Sequence, residues 1–427
     1  MKQYDSYKDS GVEWIGEVPS HWEVMPLKFT GTFGNGLTYS PKDVVDNGIL
    51  VLRSSNIQNS SLSFEDNVYV SSVSKKLLVN KGDIIICSRN GSAALVGKSA
   101  FIDKDINATF GAFMMRYIPK INKKYGFYLF QTAIGRYKGY FATTTINQLT
   151  KSTIGEMKVP LANTEEQTAI VNFLDNKCSE IDNVISVQQK RIALLQELKQ
   201  SVITHAVTKG LNPNVEMKDS GVEWIGNIPS NWEIKPLKYM AILSPKINAC
   251  DKSEKIVSYV PMENVRNDEL KEDEISIDEL NSGLNSFSKG DILMAKVTPC
   301  FENGNIAIVN NLSHNVGFCS SELFIIRAQN VNRRYLFYTL QNENYKQRCT
   351  STLTGTGGLK RVSGHFVKNC MMPVPSENEQ DNIVSYLDKK CASLNSSISK
   401  AQYQVELLQE YKQSLITEVV TGKRKVS

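Results

Sequence analysis

The side chains able to do acid–base, nucleophilic or metal chemistry are few and scattered. Histidine occurs only at His21, His205, His314 and His365, none in the spacing of a triad or a metal site. Eight cysteines include no C-x-x-C pair and none of the spacings of a zinc site. Cys178 and Cys391 stand at equivalent places in two similar segments and read as small packing residues, reduced as in the cytosol. Asp83 and Asp291 each follow Lys-Gly ahead of an apolar run. A catalytic carboxylate is one reading, but Asp after Gly at a strand start is ordinary turn chemistry. TGTGGLKRVSGH (354–365) has the glycines of a phosphate-cradling loop without its Gly-Lys-[Ser/Thr] ending. Phe33-Gly34-Asn35-Gly36 has only two of the glycines of a methyl-donor loop, and the second half has nothing similar. No catalytic residue and no metal ligand follows from these features.

The elements that must position any site come in pairs. LLQELKQSVITHAVTKG (194–210) returns as LLQEYKQSLITEVVTGK (407–423), displaced by 213 positions, and KDSGVEWIG (8–16) returns unchanged at 218–226, displaced by 210. A period of about 210 residues marks two copies of one module rather than a solenoid. Within each copy, spaced aromatics (Trp14 and Trp22, then Trp224 and Trp232) read as anchors to a core rather than stacking platforms. Short strand-like runs follow: ILVLRSSNI (49–57), KGDIIICS (81–88), ALVGKSAFI (94–102) and AFMMRYI (112–118) in the first copy, and IVSYVPMENV (256–265), KGDILMAKV (289–297), GNIAIV (304–309) and ELFIIRA (322–328) in the second. Gly82 and Gly290 supply the free backbone angle of the K-G-D turns. KKYGFYLFQTAIGRYKGYF (123–141) and RRYLFYTLQNENYKQR (333–348) read as helices. Each opens into a small polar loop, ATTTINQLTKST (142–153) or TGTGGLKRVSGH (354–365).

Each copy closes on a long helix. Thr164-Glu165-Glu166-Gln167 reads as a capping box, with a second start near Ser376 or Asn378 ahead of Gln380. Leu174, Ile181, Gln188, Leu195 and Val202 fall seven apart, with Ile185, Ile192 and Ala206 at positions four further on. Leu387, Leu394, Ala401, Leu408 and Leu415, with Ile398, Val405 and Val419, repeat the pattern. A seven-residue apolar repeat is the seam of a coiled coil. About 45 residues give roughly 65–70 Å of helix, more than one small domain can cover, so the two helices are expected to pair antiparallel. Gly210 and Gly422 read as C-terminal caps. Seven residues, LNPNVEM, join Gly210 to the second KDSGVEWIG, and five residues follow Gly422. The termini are therefore expected to meet, closing a pseudo-twofold ring.

The expected fold is α+β: two α/β domains separated by two long antiparallel coiled-coil helices in a pseudo-twofold circular arrangement. The boundaries are 1–160, the helix 161–210, 211–373, and the helix and tail 374–427. A net charge of +5 permits a polyanionic partner without demanding one. No apolar run is long enough to span a membrane and the N-terminus lacks a signal core, so a cytoplasmic protein is expected.

The duplicated GVEWIGxxPxxWExxPLK segment, the K-G-D strands, the P-x(6)-Q helix start and the LLQExKQSxITxxVT ending resemble, in both halves and in order, the specificity (S) subunits of type I restriction–modification systems. The resemblance implies a recognition domain at the head of each half, each reading one part of a split DNA target. It implies helices that set the spacing and dock two modification (M) methyltransferase subunits. It also implies restriction (R) subunits that add translocation and cleavage. S-adenosylmethionine, ATP and Mg then belong to those partners, and this subunit is itself non-catalytic. The sequence agrees: it has no D/N-P-P-Y/F methyltransferase motif, no Walker A loop and no nuclease carboxylate–lysine set. The alternatives are a coiled-coil adaptor whose heads bind proteins, and a stand-alone DNA-modifying enzyme with divergent motifs.

Bases are read in the major groove by Arg or Lys on guanine and Asn or Gln on adenine, while Lys, Arg and small polar groups hold phosphates. The candidate DNA contacts are Arg53, Arg89, Asn90, Lys98, Asn147, Gln148 and Lys151 in the first half. In the second they are Lys296, Thr298, Asn303, Asn305, Lys360, Arg361 and His365. The loops 142–153 and 354–365 align with each other and differ in content, which suits two different targets. Off the apolar seam, Gln196, Glu197, Lys199 and Gln200, with their copies Gln409, Glu410, Lys412 and Gln413, are the candidate contacts for a docked methyltransferase subunit.

Overall fold

The computed structural model describes residues 3–141, 148–245, 256–279, 283–314, 316–355 and 359–426. Two compact units form, the first from Met1–Gln188 with Tyr403–Ser427 and the second from Gln189–Gln402. The C-terminal stretch thus packs with the N-terminal one, as the expected circular order requires. Among the described residues no helix is long and apolar enough to cross a membrane.

Each unit is built on the same four-stranded antiparallel sheet. In the first the order is Ser99–Phe101, Ile84–Cys87, Met114–Pro119, Gly31–Asn35. In the second it is Ile306–Ile308, Ile292–Ala295, Leu323–Ala328, Ala241–Leu243. The central strands are buried on both faces, which explains the unbroken apolar runs that follow each K-G-D. Gly82 and Gly290 take φ of +93° and +94°. The aspartate that follows is structural in both units. Asp83 is buried, accepts from the Asn80 backbone N–H at 2.9 Å and lies 3.4 Å from Arg116. Asp291 is buried too, accepts from the Ser288 N–H and holds both Nε and Nη2 of Arg327 at 2.7 and 2.8 Å.

The outer sheets diverge. Both contain a parallel pair, Ala108–Phe110 with Ile49–Leu52 and Gly317–Cys319 with Ile256–Val260. The first unit extends its sheet through Tyr69–Val70 to Val44–Val45. The second places Asp273–Ser276 on one side and Asn285–Phe287 on the other. Several expected strands are shorter than their apolar runs, because Ser54–Asn56 and Ala93–Leu95 turn as 3-10 helices. Gly36 owes its place to close packing: a Cβ there would fall 2.1 Å from the Gly111 carbonyl oxygen. The glycine fragment is a strand end, not a ligand loop.

Asn122 caps the helix Lys123–Phe141, accepting from the N–H groups of Lys124 and Tyr125. Asn332 does the same for Arg333–Leu340. The second copy is not one helix as its sequence suggests. It breaks at Gln341-Asn342, and Asn342 caps a further helix, Glu343–Thr350, because a short amide competes for backbone donors.

The long helices run Thr164–Lys209 and Glu377–Val420. The first is capped by Asn163, whose Oδ1 accepts from the Glu166 N–H at 2.9 Å, and not by Thr164. Gln167 does not reach back to Thr164. Its amide joins the Ala162 carbonyl to the Asn122 N–H, and Gln380 joins Pro375 to Asn332 in the same way. In the second helix Ser376 bonds Glu379, as a capping box does. Within the first unit Leu174, Cys178, Ile181 and Ile185 share a core with Val405, Leu408, Leu415 and Val419 of the other helix. Lys412 meets Asp182 at 2.6 Å and Arg424 covers the Phe173 ring, so the pair is antiparallel. Within the second unit Ile203, Ala206 and Val207 pack with Ile383, Leu387 and Cys391, and Lys199 reaches Asn395 at 2.9 Å.

The tryptophans are packing residues. Trp22 and Trp232 are buried and donate their indole N–H to Glu166 and Glu379. Trp14 meets Tyr137 edge-on and Trp224 lies against Tyr345. Burial alone would raise the pKa of Glu379, but bonds from Ser376, Trp232 and Asn231 outweigh it and hold the carboxyl below its usual range. The folded carboxylate therefore stabilises the second unit at neutral pH, and this contribution is lost as pH falls from the ordinary value of 4.5 through the lower folded one. Glu379→Gln should melt lower at pH 7 and lose less on acidification. Melting curves at pH 7 and about pH 3.5 check this, and parallel losses in wild type and variant would contradict it.

Candidate nucleic-acid interface

In the first unit the C-terminal ends of strands from both sheets emerge on one side and line a broad cleft. Its walls include Tyr39 and Ser40 after Gly31–Asn35, Arg53 and Ser54 after Ile49–Leu52, Arg89 and Asn90 after Ile84–Cys87, and Phe113. Three predicted contacts therefore converge. Arg53 is half-buried and pairs with Asp66 at 2.7 Å, which holds the Asp66 carboxyl below its usual range. Asn90 Nδ2 donates to Ser54 Oγ at 3.2 Å, and Lys98 Nζ lies 3.5 Å from the Ser54 carbonyl. Arg89 is exposed and stacks over Phe113, which is itself 60% exposed. Gln148 pairs with Arg89 across an isolated bridge, and the Leu149 N–H donates to the Ser88 carbonyl. The described part of the predicted loop, 148–153, is thus sewn to the end of the central strand. Lys151 is exposed and opens the short helix Lys151–Gly155, capped by Thr150. Asn147 lies outside the described residues.

The second unit repeats this seam with different side chains. Val297 bridges Arg361, and the Val362 N–H donates to the Lys296 carbonyl at 2.8 Å. Thr354 and Arg361 pair backbone to backbone and close the base of the loop. Arg361 presents Nε and Nη2 to Glu322 at 2.9 and 2.8 Å, and Lys296 lies over Phe324. Arg361 pulls the Glu322 carboxyl below its usual range. Lys360 and His365 are exposed, the latter beside Asn369. Two predicted readers are corrected. Thr298 is 8% exposed and its hydroxyl is spent on the Lys360 backbone, and Asn305 is 4% exposed. Neither can present an edge to a base. Asn303 is exposed and lines a small polar pocket with Gln200, Gln341 and Lys346.

Sequence reasoning did not reach Phe113, Tyr39, Asp66 or Glu322. Phe113 stands within a run that reads as plain strand, and an acid that holds an arginine fork has no signature in spacing. Among the described residues no group of three or more His, Cys, Asp or Glu is placed to hold a metal ion.

Of the predicted docking residues, Gln196, Glu197, Gln409, Glu410 and Gln413 are exposed. Lys199 and Lys412 instead hold the neighbouring helix, and Gln200 is half-buried. The same helices expose apolar side chains in equivalent pairs, Leu194 (65%) and Leu198 (45%), and Leu407 (44%) and Tyr411 (52%).

The chain matches the type I restriction modification DNA specificity domain family twice, over residues 19–196 and 229–406. It therefore belongs to that family, with the specificity domain present in two copies. The EcoAI type I restriction enzyme specificity subunit of Escherichia coli is 35% identical over 162 residues, which are 37% of this chain and 27% of that protein. The chain thus spans about a quarter of that relative's length. The EcoKI specificity subunit of Escherichia coli K12 is 22% identical over 428 residues, covering 95% of this chain and 90% of its own. A solved structure, described as the structural basis of complex assembly and conformational transition of the type I R-M system, superposes with a TM-score of 0.66. It is 13% identical and covers 94% of this chain and 98% of its own, so the likeness is one of fold.

Proposed function

We propose that the chain is the non-catalytic specificity subunit of a type I restriction–modification complex, its two recognition domains, 1–160 and 211–373, each reading one half of a bipartite asymmetric DNA target. The observation that carries this reading is the repeated seam between the central strand's end and a polar loop. It presents Arg53, Arg89, Asn90, Gln148 and Lys151 in one unit and Lys296, Lys360, Arg361 and His365 in the other. One scaffold with two different sets of base-reading side chains suits two different half-sites. The long helices serve as the spacer between half-sites and as the dock for two modification subunits. In the second unit Leu194 and Leu198, with the exposed Gln196 and Glu197, form the dock for one of them, and in the first unit Leu407 and Tyr411, with the exposed Gln409, Glu410 and Gln413, form the dock for the other. This chain binds no cofactor, and S-adenosylmethionine, ATP and Mg act on the modification and restriction subunits. The complex works in the cytoplasm, where chromosomal DNA is accessible.

The test is to map methylated adenines in a host expressing this chain with its modification subunit. A single split motif supports the reading, and methyl transfer by the purified chain alone would refute it. Within that motif, Arg361→Ala should weaken binding by about 1–3 kcal/mol and relax preference at one position of the second half-site. Competition among single-base variants of the site checks this. Equal weakening across all variants would make Arg361 a phosphate contact instead.

A further inference from the structure

One pocket occurs in both units at equivalent places. In the first unit it lies where the turn at Gly97 (φ +84°) precedes Ser99–Phe101, and is lined by Lys98, Gln131, Arg136 and, from the C-terminal helix, Gln413. In the second the turn at Gly304 (φ +72°) precedes Ile306–Ile308, and the corresponding residues are Asn305, Gln341, Lys346 and Gln200. The glutamine from the duplicated helix run is the same, but the charge is not. In the second pocket the lysine pairs with Glu343 at 2.7 Å, and Asn305 replaces the other cation. In the first, Ala133 stands where Glu343 would be, no acid lines the pocket, and Arg136 has no ion-pair partner among the described residues. Lys98 has one long contact, to the Ser54 carbonyl at 3.5 Å, and Ser54 also lines the reading cleft.

We propose that Lys98 and Arg136 clamp a phosphate of the DNA backbone as it leaves the first reading cleft, and that the second unit has no such clamp. The inference rests on the DNA-reading function. Two unneutralised cations beside amide and hydroxyl donors call for an anion. Lys98 in the pocket wall reaches the Ser54 carbonyl in the cleft wall at 3.5 Å, so the two openings are neighbours and a polyanion leaving the cleft passes close to the pocket. A carboxylate from a protein docked on the duplicated helices would meet the same Gln413 and Gln200 in both units, and both pockets would then need their charge. The charge instead follows the recognition domain, the part that meets DNA.

The experiment uses the complex of the full chain with its modification subunit and a duplex carrying the mapped target, titrated over a series of salt concentrations. Each phosphate contact contributes about 0.9 to the slope of log K against log salt. The Lys98→Gln, Arg136→Gln double variant should flatten that slope by about 1, on the target and on a scrambled duplex alike. Arg136→Lys, which keeps the charge, should keep the slope, and Lys346→Gln should leave it unchanged. An unaltered slope in the double variant, with the wild-type complex binding its target, overturns the clamp alone. So does normal salt dependence with impaired assembly of the modification subunit, which would assign the pocket to a protein carboxylate. A wild-type complex that bound no bipartite duplex would overturn the functional reading and the clamp with it.

Discussion

Trp22→Ala is expected to destabilise the first unit by about 3–5 kcal/mol, the cost of removing a large buried aromatic side chain. Trp22 is fully buried and joins three parts of the unit that are remote in sequence. Its indole N–H donates to Glu166 at 2.9 Å, in the first turn of the long helix. Its ring lies edge-on to Tyr4, 5.8 Å away. It also lies against the end of the C-terminal helix, where a Cβ on Gly422 would stand 3.2 Å from the ring and closer still to Pro19. Gly422, at φ +76°, ends that helix, with its N–H bonded to the Val419 carbonyl and the Lys423 N–H to the Glu418 carbonyl. Alanine would leave a cavity at the point where the chain's last helix returns to its first residues, and would strip Glu166 of one donor. Trp232 occupies the matching position beside Gly210, so Trp232→Ala should cost a similar amount in the second unit. Urea denaturation of the purified chain measures both, and a loss below about 1 kcal/mol in either would show that the ring is not a keystone of its unit.

The parts of the fold that were legible in the sequence are those where physics repeats. Heptad spacing exposed the long helices, because a buried seam must recur every seven residues, and the self-matches exposed the duplication. The K-G-D turns were legible because a positive φ demands glycine. Gly82 and Gly290 are both at such angles. Helix starts were read one residue late where Asn163 caps ahead of Thr164, since a Thr-x-x-Gln pattern and an Asn cap compete in the same four residues. The break at Asn342 was missed for a similar reason: the amphipathic pattern continues through it, and only the competing side-chain bond reveals it. For the candidate interface, residue type and loop position single out Arg53, Arg89 and Asn90, which the fold places in one cleft, and Gln148, which it bridges to Arg89. They failed at Thr298 and Asn305, because burial is set by packing across the sheet and not by the local letters. The pairings Arg53–Asp66 and Arg361–Glu322 join residues 13 and 39 positions apart, beyond any local pattern.

Exchanging residues 27–157 for those of another family member should replace the first half of the DNA target and leave the second half as it was. The junctions follow from the local geometry. Glu23–Pro26 pairs antiparallel with Lys158–Leu161, Pro26 opposite Lys158, so the recognition portion leaves and re-enters through two neighbouring strands. A cut just inside them preserves that ribbon, the Trp22–Glu166 bond, the Asn163 cap and the long helix. It carries with the insert the cleft, the Arg89–Gln148 bridge and the Lys28–Glu156 pair at 2.6 Å, which spans the two cut ends. Several bonds cross from the insert to the scaffold, among them the Asn122 backbone N–H to Gln167 Oε1 at 3.0 Å, the Tyr125 hydroxyl to the Pro160 carbonyl at 3.3 Å and the Tyr128 hydroxyl to Asp175 at 2.5 Å, so a donor unit is best chosen with Tyr at both hydroxyl positions. Specific binding exceeds non-specific binding by about 10³-fold or more, so affinity for the original site should fall by that order while a new split motif appears. Mapping methylated adenines in a host carrying the chimera with the unaltered modification subunit reads both halves at once. A change in both halves would mean that the units do not read independently. An unchanged motif would place base recognition outside 27–157, and the strand-end cleft with its sewn-in loop would no longer be the reading head.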